Sequence, residues 1–250
     1  GKQYADKYKI GAYPSFLLLN GKGELLYKFV GGKSADVFMA EIRKGMKPDN
    51  RVKSMDDTYA TGKYSNDFLR EYVQLKLQLL EKGESLRLGK EYFDKISPEE
   101  RLQPENWFLF ADRTLGGINS ANMRYLLEHW QDFVRVQGEE KVYERITALY
   151  RDMTEWVLQG WYFRDFERNP DDFVYYRQRI SAIPLPCQND YVVMMDVAKA
   201  VALNDSLTVR GLLEDHVADF SNENQQIMFG GMGWFPSYNG VYHEQLLEIA

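Results

Sequence analysis

The chain of 250 residues has a single cysteine, Cys187, and only three histidines, and these shortages exclude several kinds of site. One thiol forms no internal disulfide, no Cys-x-x-Cys redox pair and no cysteine-rich metal site. His129, His216 and His243 are far apart in the sequence, and none has a metal-binding spacing such as His-Glu-x-x-His. We therefore predict no catalytic residue, no metal site and no cofactor in this chain, a structural or incidental role for Cys187, and a structural role for His129 and His216.

Long apolar runs and an excess of basic residues are also missing. No stretch of about 18 apolar residues occurs, so we expect no membrane span, and no signal peptide is recognised. Thirty-one basic against 37 acidic residues give a net charge of −6, which argues against a nucleic-acid partner. Because the chain begins with Gly1 rather than Met, and within a helical pattern, we expect residue 1 to be a cloning or processing boundary.

Apolar and aromatic residues, by contrast, are plentiful. Hydrophobic residues make up 44% of the chain, which is enough to build a core in a soluble globular protein. The 17 tyrosines, 14 phenylalanines and five tryptophans are interpreted first as filling between helices.

Residues 7–45 have the order helix end, proline turn, two strands and helix. The continuous apolar run from residue 15 to residue 19 predicts a strand that is covered on both faces and hence central in a sheet. Asn20-Gly21 predicts a hairpin turn, and residues 25–30 are the return strand, in which Lys28 indicates a sheet edge. Ser34 is then expected to cap a helix over residues 35–44, with Val37, Phe38 and Ile42 facing inward.

A resemblance to a known family appears in this stretch. The motif reads Tyr8-x-Ile10-x-x-Tyr13-Pro14-Ser15-Phe16, then Asn20-Gly21-x-Gly23, then Phe29-Val30-Gly31. It resembles the C-terminal half of the thioredoxin fold, in which the proline is a cis-proline opposite the redox cysteines. The match covers roughly 40 residues, and a generic ββα unit with a turn proline is the alternative interpretation.

The resemblance implies a partial site. Ala12, Tyr13 and Pro14 would form part of a substrate groove, because the residue before the cis-proline offers its backbone to an extended substrate. The Cys-x-x-Cys half of the fold is expected to precede residue 1. The resemblance also suggests a bacterial periplasm or cell envelope as the compartment.

The missing half affects the apolar strand. Because residues 16–19, from Phe16 to Leu19, are all apolar, we do not expect the edge of this strand to be unpaired and exposed to solvent. We therefore predict that it pairs with another chain or lies against the helical part.

Residues 48–250 are predicted to be an all-helical domain that follows a partial thioredoxin-like domain over residues 1–47, which makes the fold class α+β. Pro48-Asp49-Asn50 is the polar break between them. Residues 120–136 form the cleanest amphipathic helix. Helix pairs of about 30 residues indicate helical hairpins of the tetratricopeptide type, although that repeat's consensus is absent and a single irregular bundle is the alternative. A thioredoxin-type module with a helical tail is similar in layout to bacterial envelope thioredoxin-family proteins.

A glycine-rich aromatic loop is predicted over residues 228–236, near the end of the chain. Within it, Trp234 and Phe235 are candidates for a partner contact. Two functions follow for the whole chain. One is a fragment of a thioredoxin-fold thiol–disulfide oxidoreductase-like protein that is itself inactive, because it has no pair of redox cysteines. The other is a non-catalytic interaction or scaffold protein whose helical array binds a protein or peptide partner.

Overall fold

The protein is mostly helical with one small antiparallel sheet, so the α+β class is confirmed. A computed structural model describes residues 2–8, 10–48 and 52–233. The strands are β1 (Ser15–Leu19) and β2 (Leu25–Val30). The helices are α1 (Lys2–Lys7), α2 (Ala35–Met46), α3 (Val52–Ala60), α4 (Asn66–Gln78), α5 (Lys82–Lys95), α6 (Pro98–Arg101), α7 (Phe108–Ala111), α8 (Ala121–Glu128), α9 (Trp130–Gln137), α10 (Glu139–Leu158), α11 (Tyr162–Asp165), α12 (Pro170–Ser181), α13 (Gln188–Ala202), α14 (Ser206–His216) and α15 (Asn222–Gly233).

The chain forms two compact units, Gly1–Gly116 and Gly117–Ala250. The first contains the sheet and helices α1 to α7, and the second contains α8 to α15. The domain boundary predicted at residue 48 falls within the first unit, in which α3 packs on β2. Among the helices described, none is both long and apolar enough to cross a membrane.

The β1–β2 hairpin has the predicted strands and the predicted turn. Phe16 lies opposite Phe29 and Leu17 opposite Lys28, and the register shifts by one residue next to Leu19. The Asn20 side chain organises the turn, because its Oδ1 accepts hydrogen bonds from the main-chain N–H groups of residues 22 and 24, each at 2.9 Å. An Asx turn of this kind is the local reason for asparagine at a hairpin.

One face of the hairpin is an aromatic layer against α2. The rings of Phe16, Phe29 and Phe38 lie with their centroids 5.0–5.2 Å apart. Close to the end of α2, a Cβ at Gly45 would lie 2.6 Å from the Tyr27 side chain, so the helix approaches the strand where glycine permits it. Val37, predicted to face inward, is instead 47% exposed, because the helix face turned to the sheet is the one that carries Phe38.

Lys28 does not mark an exposed edge. Its side chain is buried, and its Nζ lies 4.0 Å from a carboxylate oxygen of Glu81. The buried Lys76 of α4 also reaches Glu81, at 3.1 Å, and Asp56 of α3, at 2.9 Å. Burial by itself would lower the pKa of Lys76, but these two carboxylates outweigh it and raise that pKa. Through Glu81 and Asp56, paired charges therefore connect β2, α3 and α4, and removal of one partner would leave a buried lysine uncompensated.

The prediction that β1 is a central strand is wrong within the part of the chain that the structure describes. The sheet there has two strands, and β1 pairs only with β2. Its residues are half-buried and Leu19 is exposed, whereas a central strand would be covered on both faces. Of its side chains, Phe16 packs against Phe38 of α2 and Phe29 of β2. Pairing with another chain through Phe16 to Leu19 stays a prediction.

The second unit is organised around α10, whose buried face includes Tyr150 and Met153. This helix packs against α9, α13 and α15, and α13 packs in turn against α12 and α14. The amphipathic helix predicted over residues 120–136 is two helices, since the chain leaves helical geometry at His129 with φ −118° and ψ 23°.

The glycine-rich loop predicted over residues 228–236 is helical as far as Gly233, where α15 ends. Apolar burial stabilises this glycine-containing helix, because Met228 is fully buried where α15 packs on α10. Trp234 and Phe235 lie outside the described residues.

Candidate functional site

The predicted groove residues form a short loop directly before β1. The Tyr13–Pro14 peptide bond is cis, as the resemblance implies. Tyr13 is 78% exposed, and Pro14 is also exposed, whereas Ala12 is half-buried. The loop therefore presents an aromatic ring and a proline ring to solvent beside the first residue of the hairpin.

Hydrogen bonds fix the loop on both sides of Tyr13. The hydroxyl of Ser15 donates to the carbonyl oxygen of Ala12 at 2.6 Å. The main-chain N–H of Gly31, just after β2, donates to the carbonyl oxygen of Pro14 at 2.9 Å. The loop is thus tied to both strands of the hairpin, by the Ser15 side chain of β1 and by the main chain just after β2.

Tyr13 itself differs from its neighbours. Neither its main-chain N–H nor its carbonyl group forms a hydrogen bond with any residue that the structure describes. An exposed main-chain donor and acceptor on one residue can pair with an extended peptide, as in the addition of a strand to a sheet. The loop offers hydrogen bonds and apolar contact, and it contains no nucleophile.

The only thiol of the chain belongs to the second unit. Cys187 is exposed and precedes α13 in a left-handed backbone conformation with φ 55°. It lines a cavity of about 560 Å³ together with His216 of α14 and the buried Asp190 of α13. The sequence does not indicate this proximity, because the fold of α13 and α14 brings together residues 29 positions apart.

The buried acidic side chain of this cavity, Asp190, is held by hydrogen bonds from other parts of the unit. Asp190 accepts hydrogen bonds from the N–H of Ser221 at 3.0 Å and from the amide of Asn224 at 2.8 Å. Asn224 also accepts a hydrogen bond from Arg151 of α10. These bonds join α13, α15 and α10, so we assign Asp190 to the stability of the unit.

The other histidine with a predicted structural role, His129, lies beside one aromatic ring and one carboxylate. The His129 ring lies 4.3 Å from the Tyr125 ring, and its Nδ1 is 3.7 Å from the carboxylate of Asp132. Within residues 2–8, 10–48 and 52–233, no group of three or more His, Cys, Asp or Glu side chains has the arrangement to hold a metal ion.

A cluster of tyrosines surrounds Glu91 in the first unit. The hydroxyls of Tyr59 and Tyr64 each donate to Glu91 at 2.6 Å, and Lys95 donates at 2.8 Å. Burial by itself would raise the pKa of Glu91, but the hydrogen bonds from Lys95, Tyr59 and Tyr64 outweigh it and lower the pKa to about 2. A carboxyl group that is ionised at neutral pH does not serve as a general acid, and the hydrogen bonds from Tyr59, Tyr64 and Lys95 occupy both oxygens of Glu91.

Comparisons of this chain with protein-family models, curated proteins and solved structures found no match. The resemblance to the thioredoxin family therefore stays a prediction that rests on the motif of residues 8–31.

Proposed function

We propose that residues 2–46 form the proline side of a thioredoxin-like groove that binds an extended peptide through the backbone of Tyr13. The observation that carries this proposal is the exposed Tyr13, whose main-chain N–H and C=O have no partner among the described residues. Bonds at Ala12 and Pro14 fix the loop on either side, so the peptide meets a preorganised donor and acceptor.

In this proposal the complete protein is a thiol–disulfide oxidoreductase of the bacterial periplasm or cell envelope. Exchange by a dithiol needs two neighbouring cysteines, one of them with a lowered pKa. This chain has only Cys187, so the cysteine pair would come from outside these 250 residues. By itself the chain is expected to be inactive in an insulin-reduction assay, and measurable reduction would contradict this assignment.

The single cysteine favours a second candidate, a non-catalytic peptide-binding or scaffold protein. In the second unit α10 packs against α13 and α15, which are distant in sequence. Repeat arrays have contacts only between neighbouring repeats, so these packings favour an irregular helical bundle as the scaffold. The coding sequence before Lys2 separates the two candidates, since only the first requires a Cys-x-x-Cys there.

Peptide binding is tested with reduced, carboxymethylated insulin B chain as an extended probe and isotope-labelled protein. We expect the amide resonance of Tyr13 to shift on titration and its hydrogen exchange to slow. Tyr13→Pro removes the N–H donor and is expected to weaken binding by about three- to tenfold, the value of one hydrogen bond.

Two control variants separate the backbone from the side chain. Tyr13→Ala keeps the main-chain groups and should lose less affinity than Tyr13→Pro, and Tyr4→Ala changes another exposed tyrosine and should bind as the wild type does. Unchanged binding by Tyr13→Pro, or shifts that do not include Tyr13, would show that this loop is not the peptide site.

A further inference from the structure

A cavity of about 240 Å³ lies within the first unit between α2, β2, α3 and α4. Its apolar lining comes from three buried side chains, Tyr27, Met55 and Leu75. The Tyr27 hydroxyl already donates to Glu41 at 2.8 Å, and the Nζ of Lys44 lies 5.9 Å from the centre of the Tyr27 ring. An apolar cavity of about 150 Å³ holds benzene, so this one has room for a medium-sized apolar group.

The rim of the cavity is polar and contains charges of both signs. Lys44 comes from α2, and Glu71, Gln74 and Gln78 come from α4. The three α4 residues have the i, i+3, i+7 spacing that places side chains on one face of a helix. The cation and the anion therefore come from different helices around the same opening.

The α4 side chains of the rim are not engaged elsewhere in the part of the chain that the structure describes. Glu71, Gln74 and Gln78 form no side-chain hydrogen bond or ion pair there. Gln74 is half-buried, and a polar group in that position is normally satisfied by a partner, by water or by a ligand. By contrast, Lys76 on the opposite face of α4 is bonded to two carboxylates.

We propose that this cavity binds a free apolar α-amino acid as a zwitterion. The side chain of the ligand lies against Tyr27, Met55 and Leu75, its ammonium group pairs with Glu71, and its carboxylate pairs with Lys44. Small-molecule sites combine apolar lining with a few convergent polar groups, and this cavity has three apolar and four polar lining residues. A purely apolar ligand would pair with neither charge of the rim, and an anion would pair only with the positive one.

The test is a titration of the full chain, labelled at methionine and leucine methyl groups, with L-phenylalanine. We expect the methyl resonances of Met55 and Leu75 to shift with a Kd of about 1 mM or below. N-acetyl-L-phenylalanine has no ammonium group and L-phenylalaninamide has no carboxylate, so each is expected to bind at least about tenfold more weakly.

Charge-neutral variants locate the two contacts. Glu71→Gln is expected to weaken L-phenylalanine binding by about tenfold while leaving the affinity for N-acetyl-L-phenylalanine unchanged, and Lys44→Gln should show the same selectivity towards L-phenylalaninamide. Glu105→Gln and Lys63→Gln make the same chemical changes at exposed residues that do not line the cavity, and should bind as the wild type does.

Three results would overturn the proposal. They are no methyl shift with L-phenylalanine at about 10 mM, equal binding of the amino acid and its N-acetyl derivative, and unchanged binding by both charge-neutral variants. Methyl spectra of the unliganded variants show whether each has kept its fold. Because the readout is at Met55 and Leu75, failure here is separate from failure of peptide binding at Tyr13.

Discussion

The side chain of Asn119 forms several hydrogen bonds within the second unit. Its amide donates to the Tyr162 hydroxyl at 2.7 Å, and its carbonyl oxygen accepts from the Tyr176 hydroxyl at 2.8 Å. Its own main-chain N–H donates to that Tyr176 oxygen at 3.1 Å. Asn119 has a positive φ of 61°, a conformation that asparagine tolerates better than most residues do. Both tyrosines are fully buried, so these bonds satisfy polar groups that water does not reach.

Replacing Asn119 by alanine is expected to lower the free energy of unfolding by about 2–4 kcal/mol. The change leaves the hydroxyls of Tyr162 and Tyr176 without their amide partner and puts alanine in a left-handed conformation. Urea unfolding followed by tyrosine fluorescence and circular dichroism measures the difference.

The matched control is Asn204→Ala. Asn204 also has a positive φ, 56°, but its side chain bonds only to the exposed Arg168 among the residues described. The expected loss is about 1 kcal/mol, from the backbone alone. Equal losses in the two variants would show that the buried hydroxyl network contributes nothing beyond the backbone conformation.

At the scale of elements, two serines that precede helices differ in whether their side chains form a capping hydrogen bond. Ser65 precedes α4, and its side chain accepts a hydrogen bond from the N–H of Phe68 at 3.1 Å. Ser34 precedes α2 in the same extended conformation but makes no capping bond with its side chain. Because serine is favoured before any helix, the residue type alone does not distinguish the two positions.

Ser65→Ala is therefore expected to lower the free energy of unfolding by about 1 kcal/mol, and Ser34→Ala by less than about 0.3 kcal/mol. Both serines are exposed and belong to the first unit, so they are directly comparable. Thermal and urea unfolding of the two variants give the comparison. A larger loss for Ser34→Ala than for Ser65→Ala would contradict the structural assignment of the caps.

The local sequence does not predict the break between α8 and α9 at His129. Residues 128–130 are Glu, His and Trp, with neither glycine nor proline to end a helix. The apolar pattern continues across the break, because α8 buries Leu126 and α9 buries Phe133. A shift in helix direction that keeps both apolar faces inward leaves the periodicity almost unchanged, so periodicity alone predicts one helix.

At the scale of the whole molecule, stability is expected to fall in acid because of Glu91. Its pKa is about 2 in the folded protein, below the ordinary value of a glutamate, so ionised Glu91 favours the folded state. This contribution is complete above the ordinary pKa of about 4.3 and is lost as the pH falls toward 2. Wild-type protein should therefore lose more stability between pH 7 and pH 3 than Glu91→Gln.

Urea unfolding at pH 7, 4.5 and 3 tests this expectation. The difference between wild type and Glu91→Gln should be largest at pH 7 and should shrink toward pH 3. Glu105→Gln, a change at an exposed glutamate, should follow the wild-type curve. A difference that stays constant with pH would mean that Glu91 acts through packing and not through its charge.

Most of the candidate site could be predicted from the sequence, because its residues are close together in the chain. Pro14, the apolar run after it and the Asn20 turn determine a proline loop and a hairpin within 20 residues, and both strands have their predicted bounds. The sequence does not predict that the main-chain N–H and C=O of Tyr13 have no partner among the described residues. That result depends on the carbonyl groups to which Ser15 and Gly31 donate. The amino-acid cavity is invisible for the same reason, since its walls come from four separate elements.

The sequence by itself determined the α+β composition, the hairpin, most helices and the absence of a second cysteine, because each depends on short-range geometry or on counting. Only the tertiary structure decided that Lys28 is buried, that β1 is half-buried and pairs, among the described residues, only with β2, and that residues 228–233 continue a helix. The physical reason is common to all three. A residue's burial and partners depend on which distant element packs on it, and in this chain the ion pairs of Lys28 and Lys76 and the packing of α15 on α10 bring together residues far apart in the sequence.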